Sequence, residues 1–134
     1  MVSKPYYFMH AVIFADEFED DFVALLADVQ DELLAQLKVI EQFGPLAKRP
    51  RVDTLNGSKH KNMKELRFAA ADGEWRVAFA FDTERQAVVL CAGDKSGGSE
   101  KAFYKTLVRK ADERFDAHLA RLKAKKVERP QSKK

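Results

Sequence analysis

Cysteine is almost absent from this chain of 134 residues, which contains only Cys91. A single cysteine excludes a disulfide framework, and its position within an apolar run predicts a buried thiol. Long hydrophobic runs are also missing, since no apolar stretch approaches the roughly 20 residues that a membrane-spanning helix needs. The N-terminus lacks a signal-peptide layout, because acidic residues crowd in from Asp16 onward. We therefore expect a cytoplasmic protein that does not contact a membrane.

Motifs for metal ions and cofactors are missing as well. The histidines His10, His60 and His118 fall in different predicted elements, and no His-x-x-x-His or Cys-x-x-Cys spacing occurs. The stretch from Gly93 to Gly98 superficially looks like a phosphate-binding loop, but its spacing fits neither the Walker nor the dinucleotide type. We expect a flexible turn there, no catalytic metal and no cofactor.

Charged residues, by contrast, make up 34% of the chain. The 24 basic residues exceed the 21 acidic ones by only three, and the pI of about 9.0 permits an anionic partner without proving one. The length fits one domain with a hydrophobic core. We predict a single domain over residues 1–128, followed by a basic, disordered tail over 129–134.

Hydrophobic periodicity predicts an α+β fold: an N-terminal strand, a two-helix hairpin, a three-stranded antiparallel meander and a C-terminal helix. The four strands should form a mainly antiparallel sheet with the helices on one face, the one that bears Leu66, Phe68, Val77 and Phe79. The predicted elements are a strand over 6–14, a helix over 17–26, a helix capped by Asp28 and ended by Gly44-Pro45, a loop over 45–58, strands from Asn62 to an Asp72-Gly73 hairpin, over 75–82 and over 86–92, and a helix from Ser99 to Leu122.

Two arginines lie on the polar faces of neighbouring predicted strands. Arg67 and Arg76 flank the hairpin, and antiparallel pairing should bring them close together. Like charges opposed on a sheet destabilise it unless an acid or a ligand compensates them. Two alternatives follow: Glu65 neutralises one arginine, or a phosphodiester supplies the compensation through bidentate guanidinium contacts.

Three segments of the chain resemble the RelE/ParE toxin superfamily and, more narrowly, its phage-derived, HigB-like branch. They are 61–67, 74–82, and 93–96 with the following Phe103-Tyr104, and the overall similarity spans about 29–119. The resemblance implies a RelE-like fold and the toxin of a type II toxin–antitoxin pair. Such toxins are usually ribosome-dependent mRNA endonucleases that a small cognate antitoxin, often a helix-turn-helix protein, holds inactive. The implied partners are that antitoxin, the ribosome and mRNA, and operator DNA is reached only through the antitoxin complex.

The same resemblance indicates the candidate catalytic residues. Arg67 and Arg76 match basic strand positions of the family and would stabilise charge on the phosphate in the transition state. Lys95 matches the basic residue that ends the last strand and could exchange protons. Tyr104 lies near a functional aromatic and could stack on a base or assist proton transfer, with helix packing as its alternative. Glu65 stands where well-known ribosome-dependent members favour a lysine, so the general base is not assigned.

A basic run precedes the first strand of the meander and could bind RNA. Its candidate residues are Lys59, His60, Lys61 and Lys64. Their alternative is a solvated charged face, and His60 in particular could be an ordinary surface histidine, although its unperturbed pKa suits proton transfer.

Two rival functions stay open. One is a ParE-like inhibitor of DNA gyrase, which binds protein and cleaves nothing, and the other is a non-catalytic module that binds nucleic acid or protein. Retention of Arg67, Arg76 and Lys95 together favours cleavage. Attack by the RNA's own 2′-hydroxyl needs a base, an acid and positive charge at the phosphate, and it needs no metal.

Overall fold

The computed structural model describes residues 9–128, and different helices cover the two faces of its sheet. Five strands lie in the order β1-β5-β4-β3-β2. The elements are β1 (Val12–Phe14), α1 (Asp16–Ala24), α2 (Ala27–Phe43), a 3-10 turn (Gly44–Leu46), β2 (Val52–Thr54), β3 (Lys64–Ala70), β4 (Gly73–Phe81), β5 (Ala87–Asp94) and α3 (Glu100–Glu128). The predicted α+β class and the order of the main elements are confirmed.

The sheet has one strand more than predicted. β2 through β5 are antiparallel neighbours, and β1 runs parallel to β5 at the other edge. The additional strand, β2, lies within the segment predicted to be a loop and pairs Val52 with Leu66. Val52 is only 1% exposed. The strand has only three residues and lies among prolines and basic side chains, so its sequence shows no alternation that would predict a strand.

Helices α1 and α2 pack on the predicted face of the sheet. The core between them joins apolar side chains at helical spacing with alternate residues of β3 and β4. Its fully buried members include Phe18, Val29, Leu33, Ile40, Leu66, Val77 and Phe79. The period-2 pattern of the meander therefore fixes which side of the sheet carries the N-terminal helices.

Helix α3 covers the opposite face, so the prediction that all helices share one face is wrong. Leu107, Ala111 and Phe115 of α3 pack against a second core on that face, formed by Met63, Ala78, Ala80, Leu90 and Cys91. The side chains of Ala78 and Ala80 are small, so a helix can pack closely over them. In the sequence, small residues that alternate with large apolar ones fit a solvent-exposed surface equally well. Burial in this core raises the pKa of the Cys91 thiol to about 12, which fits the predicted buried cysteine.

Several element ends differ from the prediction. Helix α2 is capped by Leu26, so Asp28 lies in its first turn and is not the cap. Gly44 ends α2 with φ 54°, as predicted, and its missing side chain leaves space for the His10 ring. Helix α3 continues past Leu122 to Glu128.

Turn and terminal predictions have mixed outcomes. The hairpin between β3 and β4 is confirmed, but its left-handed residues are Ala71 and Asp72, with φ 49° and 63°, and Gly73 already belongs to β4. The first part of the predicted N-terminal strand and the predicted tail over 129–134 lie outside the described residues. Within 9–128, no helix has both the length and the apolar character to cross a membrane.

Candidate functional site

Glu65 is the centre of a hydrogen-bonded group on the sheet face that α3 covers. Its carboxylate is 4% exposed and accepts hydrogen bonds at both oxygens. Arg67 donates to Oε2 from Nη2 at 2.8 Å and from Nε at 3.2 Å, and Tyr104 of α3 donates its hydroxyl proton to Oε1 at 2.7 Å. Arg76 completes the group with its Nε 4.0 Å from Oε1. We call these four residues the Glu65 cluster.

The two arginines of the cluster are direct partners across the β3–β4 ladder, as expected. Acids compensate this pair of like charges: Arg67 also forms an ion pair with Asp53 of β2 at 3.2 Å. Of the two alternatives, the one in which Glu65 neutralises an arginine therefore applies to Arg67. The Glu65 hydrogen bond raises the pKa of Arg67 further, although burial opposes this. The side chain nevertheless stays 31% exposed, which leaves it accessible to an anion.

Arg76 is more enclosed than Arg67, with a side chain only 12% exposed. Its Nε donates to the Tyr104 hydroxyl at 3.2 Å, and its Nη1 donates to the Trp75 carbonyl at 2.9 Å. Glu74 lies 3.9 Å from Nη1 and is itself well exposed. Arg76 thus has a fixed orientation, and carboxylates lie within 4.0 Å of its guanidinium on two sides. Donors held in a fixed orientation are the arrangement that stabilises a developing anion.

Tyr104 links the helix to the sheet through its hydroxyl. Burial is the main cause that raises the pKa of this phenol, and the hydrogen bond to Glu65 adds to it, while Arg76 opposes it. The hydroxyl is therefore protonated at neutral pH and acts as a donor. Its neighbour Phe103 packs over Gly93, where a Cβ atom would lie 2.8 Å from the ring. Phe103 contacts the sheet and Tyr104 reaches the cluster. A role for Tyr104 in base stacking or proton transfer stays a prediction.

Lys95 does not join the cluster through any hydrogen bond or ion pair in the described part of the chain. It follows β5 directly, and its backbone N–H donates to the Glu74 carbonyl at 2.7 Å. Its ammonium lies 3.5 Å from Glu100 in the first turn of α3. A role for Lys95 in proton exchange stays a prediction.

The basic run before β3 is fastened to α3. Asp116 accepts from Lys59 at 2.5 Å and lies 2.9 Å from the His60 ring, which packs edge-on against Phe115. The hydrogen bond to Asp116 raises the pKa of Lys59. These contacts give Lys59 and His60 a structural role, and the binding of RNA by either residue stays a prediction.

The other two candidates in this run differ in position. Lys61 is exposed and forms no ion pair within residues 9–128. Lys64 belongs to β3 and, by strand alternation, projects from the face opposite to Glu65 and Arg67. Among the four candidates of this run, binding of RNA by Lys61 or Lys64 also stays a prediction.

A hydrogen-bonded pair, Asp82 and His118, is buried at the other end of α3. His118 lies 2.9 Å from Asp82, whose carboxylate also accepts from the backbone N–H groups of Glu84 and Gln86. Burial would raise the pKa of Asp82, but these hydrogen bonds outweigh it and lower the pKa below its ordinary value. The pair fixes the β4–β5 turn to the helix. The described residues contain no group of three or more His, Cys, Asp or Glu side chains that could hold a metal ion.

Sequence reasoning missed the central position of Glu65 and the part played by Asp53. From the sequence alone, Glu65 is only a departure from the family pattern and one way to neutralise an arginine. Asp53 lies on the strand that was not predicted, so nothing in the sequence linked it to Arg67. The Asp53 contact depends on the pairing of β2 with β3, and the contact of Glu65 with Tyr104 depends on the docking of α3.

Comparisons with known proteins agree with this architecture. The family model described as "Phage derived protein Gp49-like (DUF891)" matches residues 20–116. The chain belongs to this family. Among curated relatives, "Putative toxin HigB3" of Mycobacterium tuberculosis is 40% identical to this Gp49-like protein over 110 residues, which are 82% of the chain and 94% of the relative.

Two further matches bear on the family and the fold. "Putative toxin HigB2" of the same organism is 44% identical over 103 residues, which are 76% of the chain and 51% of the relative, so the chain spans about half of that protein's length. A mutant of the E. coli toxin RelE, solved in the free state, superposes with a TM-score of 0.52 at 13% identity and covers 76% of the chain and 96% of RelE. The RelE likeness shows the fold alone, and the HigB relatives confirm the HigB-like resemblance.

Proposed function

We propose that this Gp49-like protein is the toxin of a type II toxin–antitoxin module and that it cuts mRNA on the ribosome without a metal ion. The observation that carries the proposal is the hydrogen-bonded chain from Arg76 through Tyr104 and Glu65 to Arg67. It places two guanidinium groups and a protonated phenol side by side at the junction of the sheet and α3. Such a set suits a phosphodiester better than a neutral ligand.

Each member of the cluster has a distinct part in the proposed reaction. The RNA 2′-hydroxyl gives its proton to a base that the ribosome or solvent supplies, and its oxygen attacks the adjacent phosphorus. The bond from phosphorus to the 5′-oxygen breaks, which leaves a 2′,3′-cyclic phosphate, and the 5′-oxygen takes up a proton to become a hydroxyl. Arg67 and Arg76 stabilise the charge that develops on the phosphate oxygens. To act on the reacting group, Tyr104 turns its single O–H from Glu65 to that group. Glu65 is a positioning residue that orients Arg67 and, before RNA binds, Tyr104.

The ribosome supplies what the chain lacks. Glu65 already accepts from Arg67 and Tyr104, so the cluster holds no unengaged base within its hydrogen bonds. Ribosomal RNA would orient the 2′-hydroxyl in line with the scissile bond, and such alignment contributes about 7–11 kcal/mol in well-oriented reactions. The proposed setting is the cytoplasm. The proposed partners are the ribosome, its messenger and a small helix-turn-helix antitoxin. Operator DNA is bound only through the complex with this antitoxin.

The test compares messenger in the ribosomal A site with the same RNA in free solution. Primer extension should show rapid cutting on the ribosome and little or none of the free RNA. Phenanthroline, which removes transition metals but leaves ribosomal Mg²⁺ in place, should make no difference. Metal-dependent cutting of free RNA would contradict the proposal. Growth arrest with intact messenger and blocked DNA supercoiling would replace it by the gyrase alternative.

A further inference from the structure

A basic cleft opens at the edge of the sheet next to the Glu65 cluster. It has a volume of about 430 Å³ and lies between α2, the segment before β2 and the outer edge of β3. Four cations line it: Lys48, Arg49, Arg51 and Arg67. Arg67 lines the cleft and also belongs to the cluster, so the two adjoin at this residue. We call it the edge cleft.

The acids around the edge cleft leave its positive charge only partly compensated. Arg51 donates from Nε to the neutral Gln36 side chain at 2.6 Å, and Gln36 in turn donates to Glu32 at 2.7 Å. The terminal nitrogens of Arg51 make no hydrogen bond within the described residues. Arg49 is 75% exposed and lies 3.8 Å from Asp53, which it shares with Arg67. Four cations thus face three carboxylates, those of Glu32, Asp53 and Glu65, the last of which pairs with Arg67.

Backbone hydrogen bonds hold the cleft in shape. The Arg67 N–H donates to the Arg51 carbonyl at 2.8 Å, and the Val52 N–H donates to the Lys48 carbonyl at 3.1 Å. The first bond attaches the basic segment to β3 beside Arg67, and the second closes a turn around it. A ligand that binds here therefore meets cations on an ordered backbone, which reduces the entropy lost on binding.

We propose that the edge cleft binds the sugar–phosphate backbone of the substrate RNA strand beside the phosphate that is cut. This inference rests on the proposed function, because it takes its substrate from it. Arginine forks bind phosphate oxygens in pairs, and a lysine adds a point charge. Phosphate contacts of this kind fix the register of a strand without reading its sequence. The cleft would therefore position the strand, while the Glu65 cluster acts on it.

The test replaces the two cleft cations that lie outside the Glu65 cluster and make no ion pair among the described residues, in a Lys48→Gln, Arg51→Gln double variant. A matched control, Lys38→Gln with Lys123→Gln, removes the same charge from exposed positions elsewhere. The probe is a short, fluorescent 2′-O-methyl oligoribonucleotide, which cannot be cut, and binding is followed by anisotropy at several salt concentrations.

The cleft variant should bind this probe on the order of tenfold more weakly than the control at 0.1 M salt. The slope of log K against log salt should fall by about 1.4, because each lost phosphate contact on a single strand changes it by about 0.7. An Arg51→Lys variant should keep most of the salt dependence, since its charge remains.

Binding to vacant ribosomes, which carry no messenger, tests whether the cleft binds phosphates of ribosomal RNA and not those of the substrate strand. We expect the cleft variant and the control to bind them equally, and a loss confined to vacant ribosomes would overturn the inference. Equal oligonucleotide binding by both variants would overturn it too, even if the wild-type protein cuts messenger. If the cleft variant loses binding but the wild-type protein cuts nothing, the proposed function fails and the cleft remains an RNA-binding surface.

Discussion

The Tyr104 hydroxyl donates to Glu65 at 2.7 Å across 39 residues of chain and thereby joins α3 to β3. The same oxygen accepts from Arg76 at 3.2 Å, so one phenol contacts both a carboxylate and a guanidinium of the cluster. Because the pKa of Tyr104 is raised, the bond keeps its direction at neutral pH. The hydroxyl can therefore be tested separately from the ring.

We expect Tyr104→Phe to fold and to lose toxicity. The ring stays and only the hydroxyl is lost, so the free energy of unfolding should fall by about 0.5–1.5 kcal/mol. The measurements are urea unfolding and growth after induction without antitoxin. Thr106→Val is the control, since it removes an exposed hydroxyl from the same helix and leaves the cluster intact. Full toxicity of a folded Tyr104→Phe variant would exclude the hydroxyl from the reaction.

Arg76→Ala should also relieve growth arrest. It should lower the free energy of unfolding by more than the replacement of an exposed arginine would. The sequence placed Arg76 on a polar strand face, for which a change within about 0.5 kcal/mol is typical. In the structure its side chain is only 12% exposed and its nitrogens donate to Tyr104 and the Trp75 carbonyl. We now expect a loss of about 1–3 kcal/mol.

A control separates this loss from a general effect of charge. Arg109 of α3 is 58% exposed and pairs with Glu113 at 3.7 Å, so Arg109→Ala should leave both stability and toxicity nearly unchanged. Arg76→Lys keeps the charge without the fork and should restore stability more than toxicity. A folded Arg76→Ala variant that arrests growth like the wild type would remove Arg76 from the site.

The Asp82–His118 pair should make stability depend on pH in the acid range. Hydrogen bonds hold the pKa of Asp82 below its ordinary value of 3.8, so its carboxylate stabilises the fold above that pH. This contribution is lost as the pH falls through the lower folded pKa. Asp82→Asn should cost about 1–3 kcal/mol at neutral pH, and the difference from the wild type should shrink below about pH 4. Unfolding free energies at several pH values measure this.

The exposed Asp20 supplies the comparison for that experiment. Asp20→Asn changes the same functional group on the surface of α1 and should leave the acid profile of the wild type unaltered. A constant difference between Asp82→Asn and the wild type from neutral pH down to pH 2 would show that the carboxylate's charge does not contribute.

The order of the main elements could be predicted because their patterns are local. Alternation along β3 and β4 and helical spacing in α2 each lie within one segment, and the hairpin turn connects the two strands directly. The side of the sheet on which α3 packs could not be predicted. Ala78 and Ala80 are small enough to suit either solvent or a helix, and nothing local distinguishes the two.

The contacts of the site could likewise be predicted where they are local and could not where they join distant elements. Arg67 and Arg76 could be paired from the hairpin alone, since the turn sets the register of the two strands. The contacts of Glu65 with Tyr104 and of Arg67 with Asp53 connect elements far apart in the chain. Such contacts depend on how α3 and β2 dock, which the spacing of residues does not encode.

Gly93→Ala should disturb the site by shifting α3, the helix that carries Tyr104. The new Cβ would lie 2.8 Å from Cε1 of Phe103, so the ring must move, and Tyr104 beside it would move away from Glu65. We expect a stability loss of about 1–3 kcal/mol from overpacking. Messenger cutting should fall by about tenfold to a hundredfold, because small misplacements of a reacting group are costly. Adding Phe103→Leu shortens the ring side chain and should restore cutting in the Gly93→Ala background. If the double variant stays inactive while Gly93→Ala alone remains folded, the packing of Phe103 on Gly93 does not position Tyr104.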